Sequence, residues 1–327
     1  MTNRAQIFGS AGDEQAATNG SYGYPPSGYR LPHQTHVGEV HLAVSNLQQS
    51  VEFYETVLGL SARAADGATQ LPTHGATNGA TQLHAHGEEH PLIVLHEQAN
   101  LRQATRRGHL GLFHFAILLP DRPSLGLFVH HLGEIGAQAG AGDHLVSEAF
   151  YLSDPDGHGI EVYADRPRET WRRQGRELMM ATDPVDVASL IASAGNTPWN
   201  GMPKGTRMGH VHLHVGDLER AADFYSEAIG FDRMVTRYPG ALFLAAGGYH
   251  HHLGTNTWAG PGASSPTEHD VRLLEWTLVV PDRGALDAVF RSIEAKGFAV
   301  SREENAVVTR DPWNTQLRIV ARDTHTS

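Results

Sequence analysis

The sequence predicts an α+β fold assembled from four copies of one β-α-β-β-β unit. A short apolar strand that ends in an acidic or amide residue and runs into an amphipathic helix occurs four times, at 39–46, 114–121, 210–217 and 275–282. Apolar residues alternate along each opening, which predicts a strand, and the residues that follow change to helical spacing. Short β-rich runs follow each helix. Self-similar segments of this kind indicate a repeat architecture.

The four units are of two types that alternate along the chain, in the order A, B, A′, B′. Units one and three carry a Phe-Tyr pair in the helix, at 53–54 and 224–225. Units two and four open the helix with Pro-Asp-Arg and end it at Gly136 or Gly297. Because the two unit types alternate, we expect the chain to contain two related halves, each with one unit of each type.

Helical spacing predicts how the first helix type is used. Phe53 and Tyr54 share their helix with apolar residues at the spacing of one face, so we expect both pairs to pack in the core rather than bind a ligand. Gly59 and Gly230 follow these helices and are predicted to end them.

A chain of 327 residues is expected to form two domains. The boundaries are predicted at 35–170 for units one and two, 171–206 for a linker and 207–322 for units three and four. Residues 1–34 are rich in Gly, Ser, Ala, Asn and Pro and show no hydrophobic period, which predicts a flexible tail. The segment 67–84 repeats Gly-Ala-Thr three times and is predicted to be an expanded loop.

Composition limits the class of partner. The formal net charge of -11 and the absence of a long basic run argue against nucleic acid and anionic lipid. With 0 Cys, any metal must be bound by His, Asp or Glu. No apolar segment approaches the length of a membrane span, and the first residues lack the apolar region of a signal peptide. We therefore expect a cytoplasmic protein that acts on a small molecule.

The repeated openings, the Phe-Tyr helices and the segment 154–161, which reads Asp-Pro-Asp-Gly-His-Gly-Ile-Glu, resemble the vicinal oxygen chelate superfamily. The likeness covers about residues 36–322. In that fold, paired βαβββ units form open, cup-shaped barrels around a divalent metal. More narrowly, the four-unit length and the segments 180–187 and 249–258 resemble the bacterial catechol 2,3-dioxygenases of the type I extradiol class.

The resemblance implies metal ligands at the start of a unit's first strand and near the end of its last strand. The four first-strand positions are Glu39, His114, His210 and Glu275. The last-strand position is Glu161 in unit two but Arg318 in unit four. Because a guanidinium has no lone pair to offer a metal, no site is expected in unit four.

Two ligand sets follow from two ways of pairing the units. Pairing units one and two would bring Glu39 to His114 and Glu161, whereas pairing units two and three would bring His210 to them. Only the second set contains two His and one carboxylate, which leaves positions on Fe(II) open for a bidentate substrate and O2. Zn(II) and Mn(II) accept the same donors, so Fe(II) is assigned by resemblance, with Mn(II) as the alternative.

The resemblance also implies three catalytic residues: His251, His144 and Tyr151. His251 would act as acid or base, while His144 and Tyr151 would hydrogen-bond the substrate. Since the full set is divided between units two and three, these units are predicted to form the active cup and units one and four a degenerate one. His251 lies in a triplet of histidines, which leaves its register open by one residue.

The implied function is extradiol (meta) ring cleavage of a catechol by O2, as in the catabolism of aromatic hydrocarbons. The expected partners are a catechol and O2, with no nucleic acid and no membrane, and both a monomer and a homo-oligomer remain open. A glyoxalase-like lyase or transferase is an alternative, although such enzymes typically use four protein ligands. A non-catalytic protein that binds an aromatic ligand or drug is a second alternative, but it would not need His114, Glu161 and His210.

Overall fold

The structure is a computed structural model that describes residues 7, 14–17, 22–64, 80–104 and 107–322. It is an α+β fold with four βαβββ units, as the sequence predicts. None of the helices within these ranges is long and apolar enough to cross a bilayer.

The helices and strands follow the predicted unit order. A short strand, β1 (Glu14–Ala16), precedes the units. Unit one consists of β2 (His36–Val44), α1 (Leu47–Thr56), β3 (Ser61–Ala64), β4 (Thr81–His84) and β5 (Ile93–Glu97). Unit two consists of β6 (Gly111–Leu118), α2 (Arg122–Glu134), β7 (Gly140–Asp143), β8 (Ser147–Ser153) and β9 (Gly159–Asp165). The connection to the second half contains a 3-10 turn (Arg168–Thr170), β10 (Arg172–Gln174), β11 (Glu177–Leu178) and α3 (Val187–Ser193).

The second half repeats the pattern. Unit three consists of β12 (Arg207–His214), α4 (Leu218–Ala221), which continues as a π-helix (Ala222–Ala228), β13 (Asp232–Val235), β14 (Ala241–Ala245) and β15 (Leu253–Asn256). Unit four consists of β16 (Arg272–Val280), α5 (Arg283–Ala295), β17 (Val300–Arg302), β18 (Ala306–Arg310) and β19 (Gln316–Ala321).

The acidic or amide residue that ends each opening caps the helix that follows it. Asn46, Asp121, Asp217 and Asp282 each accept a hydrogen bond from the backbone N–H three residues later, at 2.8–3.0 Å. Such a bond satisfies one of the N–H groups that have no partner within the first turn of a helix. One repeated residue type therefore fixes the start of all four helices.

A left-handed glycine follows each helix of the first type, as predicted. Gly59 has a φ of +69° and Gly230 a φ of +104°. At Gly59 there is also no room for a side chain, because a Cβ would lie 2.6 Å from the Cα of Gly201. Glycine therefore both ends α1 and permits close contact with the connection between the halves.

The units are paired across the two halves of the chain. One eight-stranded sheet has the order β13-β14-β15-β12-β6-β9-β8-β7 and joins units three and two; the other has the order β17-β18-β19-β16-β2-β5-β4-β3 and joins units four and one. The first strands of paired units meet antiparallel at the centre of each sheet. The pairing predicted from the ligand residues is therefore confirmed. The halves 35–170 and 207–322 do not form separate sheets, because pairing between first strands is a tertiary contact that chain order does not fix.

The tyrosines of the Phe-Tyr pairs tie the two sheets together. Tyr54 and Tyr225 are fully buried, which confirms their predicted core packing. The Tyr54 hydroxyl of unit one donates to Asp154 of unit two at 3.0 Å. The Tyr225 hydroxyl of unit three donates in the same way to Asp311 of unit four at 2.9 Å. Each helix thus anchors the turn before the last strand of a unit in the other sheet.

The prediction of a flexible tail is wrong for residues 22–34. The Tyr22 hydroxyl donates to the carbonyl of Gly248 at 2.7 Å, and Arg30 makes two hydrogen bonds of 2.7 Å to Asp232. Upstream, β1 pairs with β10 in a three-stranded sheet. The segment is held by contacts with unit three and the connection, and its own polar composition carries no signal of them.

The polar segment 67–84 is only partly a loop. Its last residues form β4, which pairs with β3 and β5. Residues 67–79 lie outside the described part of the chain.

Candidate metal centre

Three metal-binding side chains meet inside the sheet of units two and three. His114 lies on β6, Glu161 on β9 and His210 on β12, and one ligand atom from each lies within 4.8 Å of the other two. The Glu161 Oε2 is 3.1 Å from His114 Nε2 and 3.3 Å from His210 Nε2. Their side chains are 7%, 4% and 1% exposed, respectively. The structure therefore brings together the three residues that the sequence selected.

Strand register explains this convergence. The strands β9, β6 and β12 are neighbours at the centre of the sheet, with Ala116 opposite Glu161 and His212 opposite His114. An irregularity between Met208 and His210 shifts the register of β12. Gly209 lies at this point, where a Cβ would clash with the Tyr163 hydroxyl. A bulge turns the side chain that follows it, here His210.

The protonation states of the cluster suit a divalent cation. Burial lowers the pKa of His210 to about 4, against the pull of Glu161, so this imidazole is neutral at pH 7. Burial alone would raise the pKa of Glu161, but His210 and His114 hold it well below its usual range. His114 Nε2 is buried and has no aligned hydrogen-bond partner among the described residues. A neutral imidazole at His210, an ionised carboxylate at Glu161 and an unused buried nitrogen at His114 fit a metal ion.

His144 and Tyr151 form a hydrogen-bonded pair beside the cluster. His144 Nε2 is 2.5 Å from the Tyr151 hydroxyl, and its Nδ1 is 2.7 Å from the carbonyl of Ala181, which holds the ring in place. The Tyr151 ring lies 5.7 Å from the ring of His114. Burial and the nearby Glu161 charge raise the pKa of Tyr151 well above its usual value, so its hydroxyl stays protonated.

His251 reaches the cluster from the segment that precedes β15. Its ring centre lies 4.0 Å from that of His210 and 5.0 Å from that of Phe243. The neighbouring His252 is used elsewhere, because its Nδ1 accepts a hydrogen bond from the backbone N–H of Ala246 at 3.1 Å. Of these two histidines, His251 is therefore the one placed against the ligand set.

Sequence reasoning missed the aromatic wall of the cup. The Phe113 ring lies 5.2 Å from His212, 4.7 Å from His214 and 5.7 Å from Trp258. His212 and His214 could have been found, since they alternate with His210 along β12. No signal marks Phe113, which is the extra residue where the register shifts between His212 and Leu213.

A cavity of about 500 Å³ opens from this wall. It is lined by His114, Tyr151 and Phe113 of unit two, His214 of unit three and Trp313 of unit four. This volume is within the range of small-molecule sites. The cavity can therefore admit an aromatic ligand as far as His114 and Tyr151.

In the second cup, which units one and four form, Arg318 lies at the last-strand position that Glu161 has in unit two. Arg318 Nε donates to Glu275 Oε1 at 2.7 Å, and Gln316 Nε2 donates to the other carboxylate oxygen at 2.5 Å. Glu39, the remaining opening residue, accepts from the Thr277 hydroxyl at 3.3 Å. In this cup the charge of the buried Glu275 is balanced by a side chain.

The fold and the cluster define a class of protein, in which paired βαβββ units form cups and a cup can hold a metal. The chain belongs to the Glyoxalase/Bleomycin resistance protein/Dioxygenase superfamily, whose model matches residues 33–162 and 207–318. It is 41% identical over 282 residues to a protein of Bacillus subtilis (strain 168) named Catechol-2,3-dioxygenase. The aligned residues cover 85% of this chain and 94% of that protein.

Solved structures show the same fold at low sequence identity. A protein of Bacillus subtilis subsp. subtilis strain 168 aligns with a TM-score of 0.59 at 15% identity, over 90% of this chain and 86% of that one. Glyoxalase I from Zea mays aligns with a TM-score of 0.51 at 16% identity, over 88% of this chain and 92% of that one.

Proposed function

We propose that the protein is an extradiol dioxygenase that cleaves a catechol beside its diol, with Fe(II) bound by His114, Glu161 and His210. The observation that carries the proposal is the buried cluster of two imidazoles and one carboxylate in a cup that opens to a cavity. The 41% identity to a Catechol-2,3-dioxygenase over most of both chains supports the same reaction class.

Of the three ligand residues, His114 lines the cavity. A metal with this ligand set, when bound, supplies Lewis acidity toward the catechol oxygens and redox chemistry toward O2. A neutral His210 and an ionised Glu161 need no proton loss to bind a metal at pH 7. Mn(II) accepts the same donors and is the alternative metal.

The remaining residues handle protons and orientation. His251 is neutral, because burial holds its pKa well below the usual value, and it accepts the proton that the catechol loses. The Tyr151 hydroxyl donates to His144 Nε2, because the Nδ1–H of His144 is used by the carbonyl of Ala181, and its oxygen is thereby held in place to hydrogen-bond the substrate. The rings of Phe113 and Trp258 meet edge to face at 5.7 Å, and Phe113 lines the cavity.

The test is oxygen consumption coupled to ring cleavage. The full-length protein is loaded anaerobically with Fe(II), mixed with a panel of substituted catechols and exposed to air while O2 and the yellow semialdehyde product are followed. We expect one O2 consumed per ring cleaved, with loss of both signals in Glu161→Gln. A protein that binds the metal stoichiometrically yet consumes no O2 with any catechol would refute the proposed reaction.

Metal identity is tested in the same assay. Parallel loading with Fe(II), Mn(II) and Zn(II) is expected to support ring cleavage with Fe(II) or Mn(II) and none with Zn(II), which has no accessible redox state. Ring cleavage at an equal rate with Zn(II) would contradict a redox role for the metal.

A further inference from the structure

A hydrogen-bonded chain of three side chains runs from the outside of unit two to the metal-binding cluster. Asp165, at the end of β9, is 26% exposed, and one of its oxygens lies 2.9 Å from His250 Nε2. His250 is fully buried, and its Nδ1 lies 2.7 Å from His251 Nδ1. The His251 ring in turn packs against His210. The proposed function uses only the last member of this chain.

The positions of the protons follow from which atoms face each other. An ionised carboxylate can only accept hydrogen bonds, so the Nε2 of His250 must carry a proton. When His250 is neutral, this is its one proton, and its Nδ1 is therefore an acceptor. The hydrogen bond between the two Nδ1 atoms then requires the proton on His251, whose Nε2 is left with a free lone pair.

Neighbouring groups keep Asp165 and His250 in this arrangement. The Tyr249 hydroxyl donates to the same oxygen of Asp165 at 3.2 Å and is itself 2.7 Å from the Tyr163 hydroxyl. The ring of Tyr249 also lies 4.0 Å from the ring of His250. Both donors act on one oxygen of Asp165. This is the arrangement expected for an ionised carboxylate, which can only accept hydrogen bonds.

We propose that Asp165 and His250 are positioning residues that hold His251 in the tautomer protonated at Nδ1. This leaves the Nε2 of His251 as a proton acceptor, and among the described residues this atom has no hydrogen-bond partner. The use of that acceptor for a catechol proton rests on the proposed function, whereas the tautomer itself does not. A hydrogen-bonded chain of this kind fixes the orientation of the last ring and determines which of its nitrogens carries the proton.

Nuclear magnetic resonance tests the tautomer directly. The full-length protein is labelled with 15N in histidine and loaded with Zn(II), a diamagnetic probe, and long-range 1H–15N correlations are assigned by comparison with His251→Ala. We expect His251 to be protonated at Nδ1 in the wild type and to lose this preference in His250→Phe. Protonation of His251 at Nε2 in the wild type would overturn the proposal, whether or not the protein cleaves catechols.

Kinetics of the Fe(II)-loaded protein test the consequence. His250→Phe is expected to lower kcat about 10–100-fold with little change in KM, the range usual for a residue that orients a ligand or base. His250→Gln should recover most of this loss, because its amide can donate to Asp165 and accept from His251. His252→Gln is the matched control, since His252 bonds to Ala246 instead. Equal metal content and thermal stability are checked first, and a His250→Gln variant as slow as His250→Phe would overturn the positioning role.

Discussion

Arg318→Met is expected to destabilise the second cup, because it leaves the buried carboxylate of Glu275 without its cationic partner. Glu275 is 1% exposed and would keep only the hydrogen bond from Gln316. Removing one partner of a buried ion pair costs about 3–5 kcal/mol. Because Arg318 is 21% exposed and water can reach its place, we expect about 2–4 kcal/mol. For a chain of 327 residues, whose unfolding entropy is about 2.1 cal/mol/K per residue, that loss corresponds to a fall in Tm of roughly 3–6 °C.

The assay is thermal and urea unfolding of wild type, Arg318→Met, Glu275→Met and the double variant, all without metal. The double variant removes both charges and should regain at least half of the stability lost in Arg318→Met, because no buried charge then lacks a partner. The contact of Arg318 with the exposed Glu303 contributes little to this difference. A double variant no more stable than Arg318→Met would show that the loss has another cause, such as packing of the arginine stem.

Three further predictions concern the first cup. His210→Ala should abolish loading with Mn(II), measured by elemental analysis, whereas Glu39→Ala should leave it intact; the reverse result would mean that the metal lies elsewhere. The pKa of His210 is about 4 in the folded protein against an ordinary 6.5, so between these values the unfolded chain binds a proton that the folded chain does not. The free energy of unfolding of the metal-free protein therefore falls as the pH drops through this window, by up to about 2 kcal/mol between pH 7 and pH 5. Urea titrations at each pH should show this fall. An equal fall in His210→Gln would show that it does not come from His210. Tyr151→Phe should reduce kcat for ring cleavage about 100-fold at unchanged metal content, as expected for loss of one hydrogen bond to the reacting group. An unchanged kcat would show that Tyr151 takes no part in the reaction.

Much of the fold was accessible from local chemistry. Asn46 and the aspartates at the other openings cap helices through atoms three residues away, and Gly59 ends a helix through its own φ. Such features depend on a few consecutive residues, so their pattern is visible in the sequence. The packed segment 22–34 was not accessible, because Arg30 is held by Asp232, about two hundred positions later in the chain.

The candidate site shows the same division. The resemblance implied ligands at the start of a unit's first strand and near the end of its last strand. Alignment of the repeats then selected His114, His210 and Glu161. The chain Asp165–His250–His251 carried no comparable signal, since Asp165 and His250 come from different units and meet only when β9 and β12 flank β6.

The sequence by itself determined the repeat, the helix caps and the residue types that can bind a metal, because each of these depends on neighbours along the chain. It also favoured pairing units two and three, through the ligand set that this pairing would complete. Only the tertiary structure decided that Arg318 binds Glu275 in the cup of units one and four, and that Phe113 lines the cavity of the other cup. These outcomes depend on strand pairing and register between distant segments, where a shift of one residue reverses the face of every side chain.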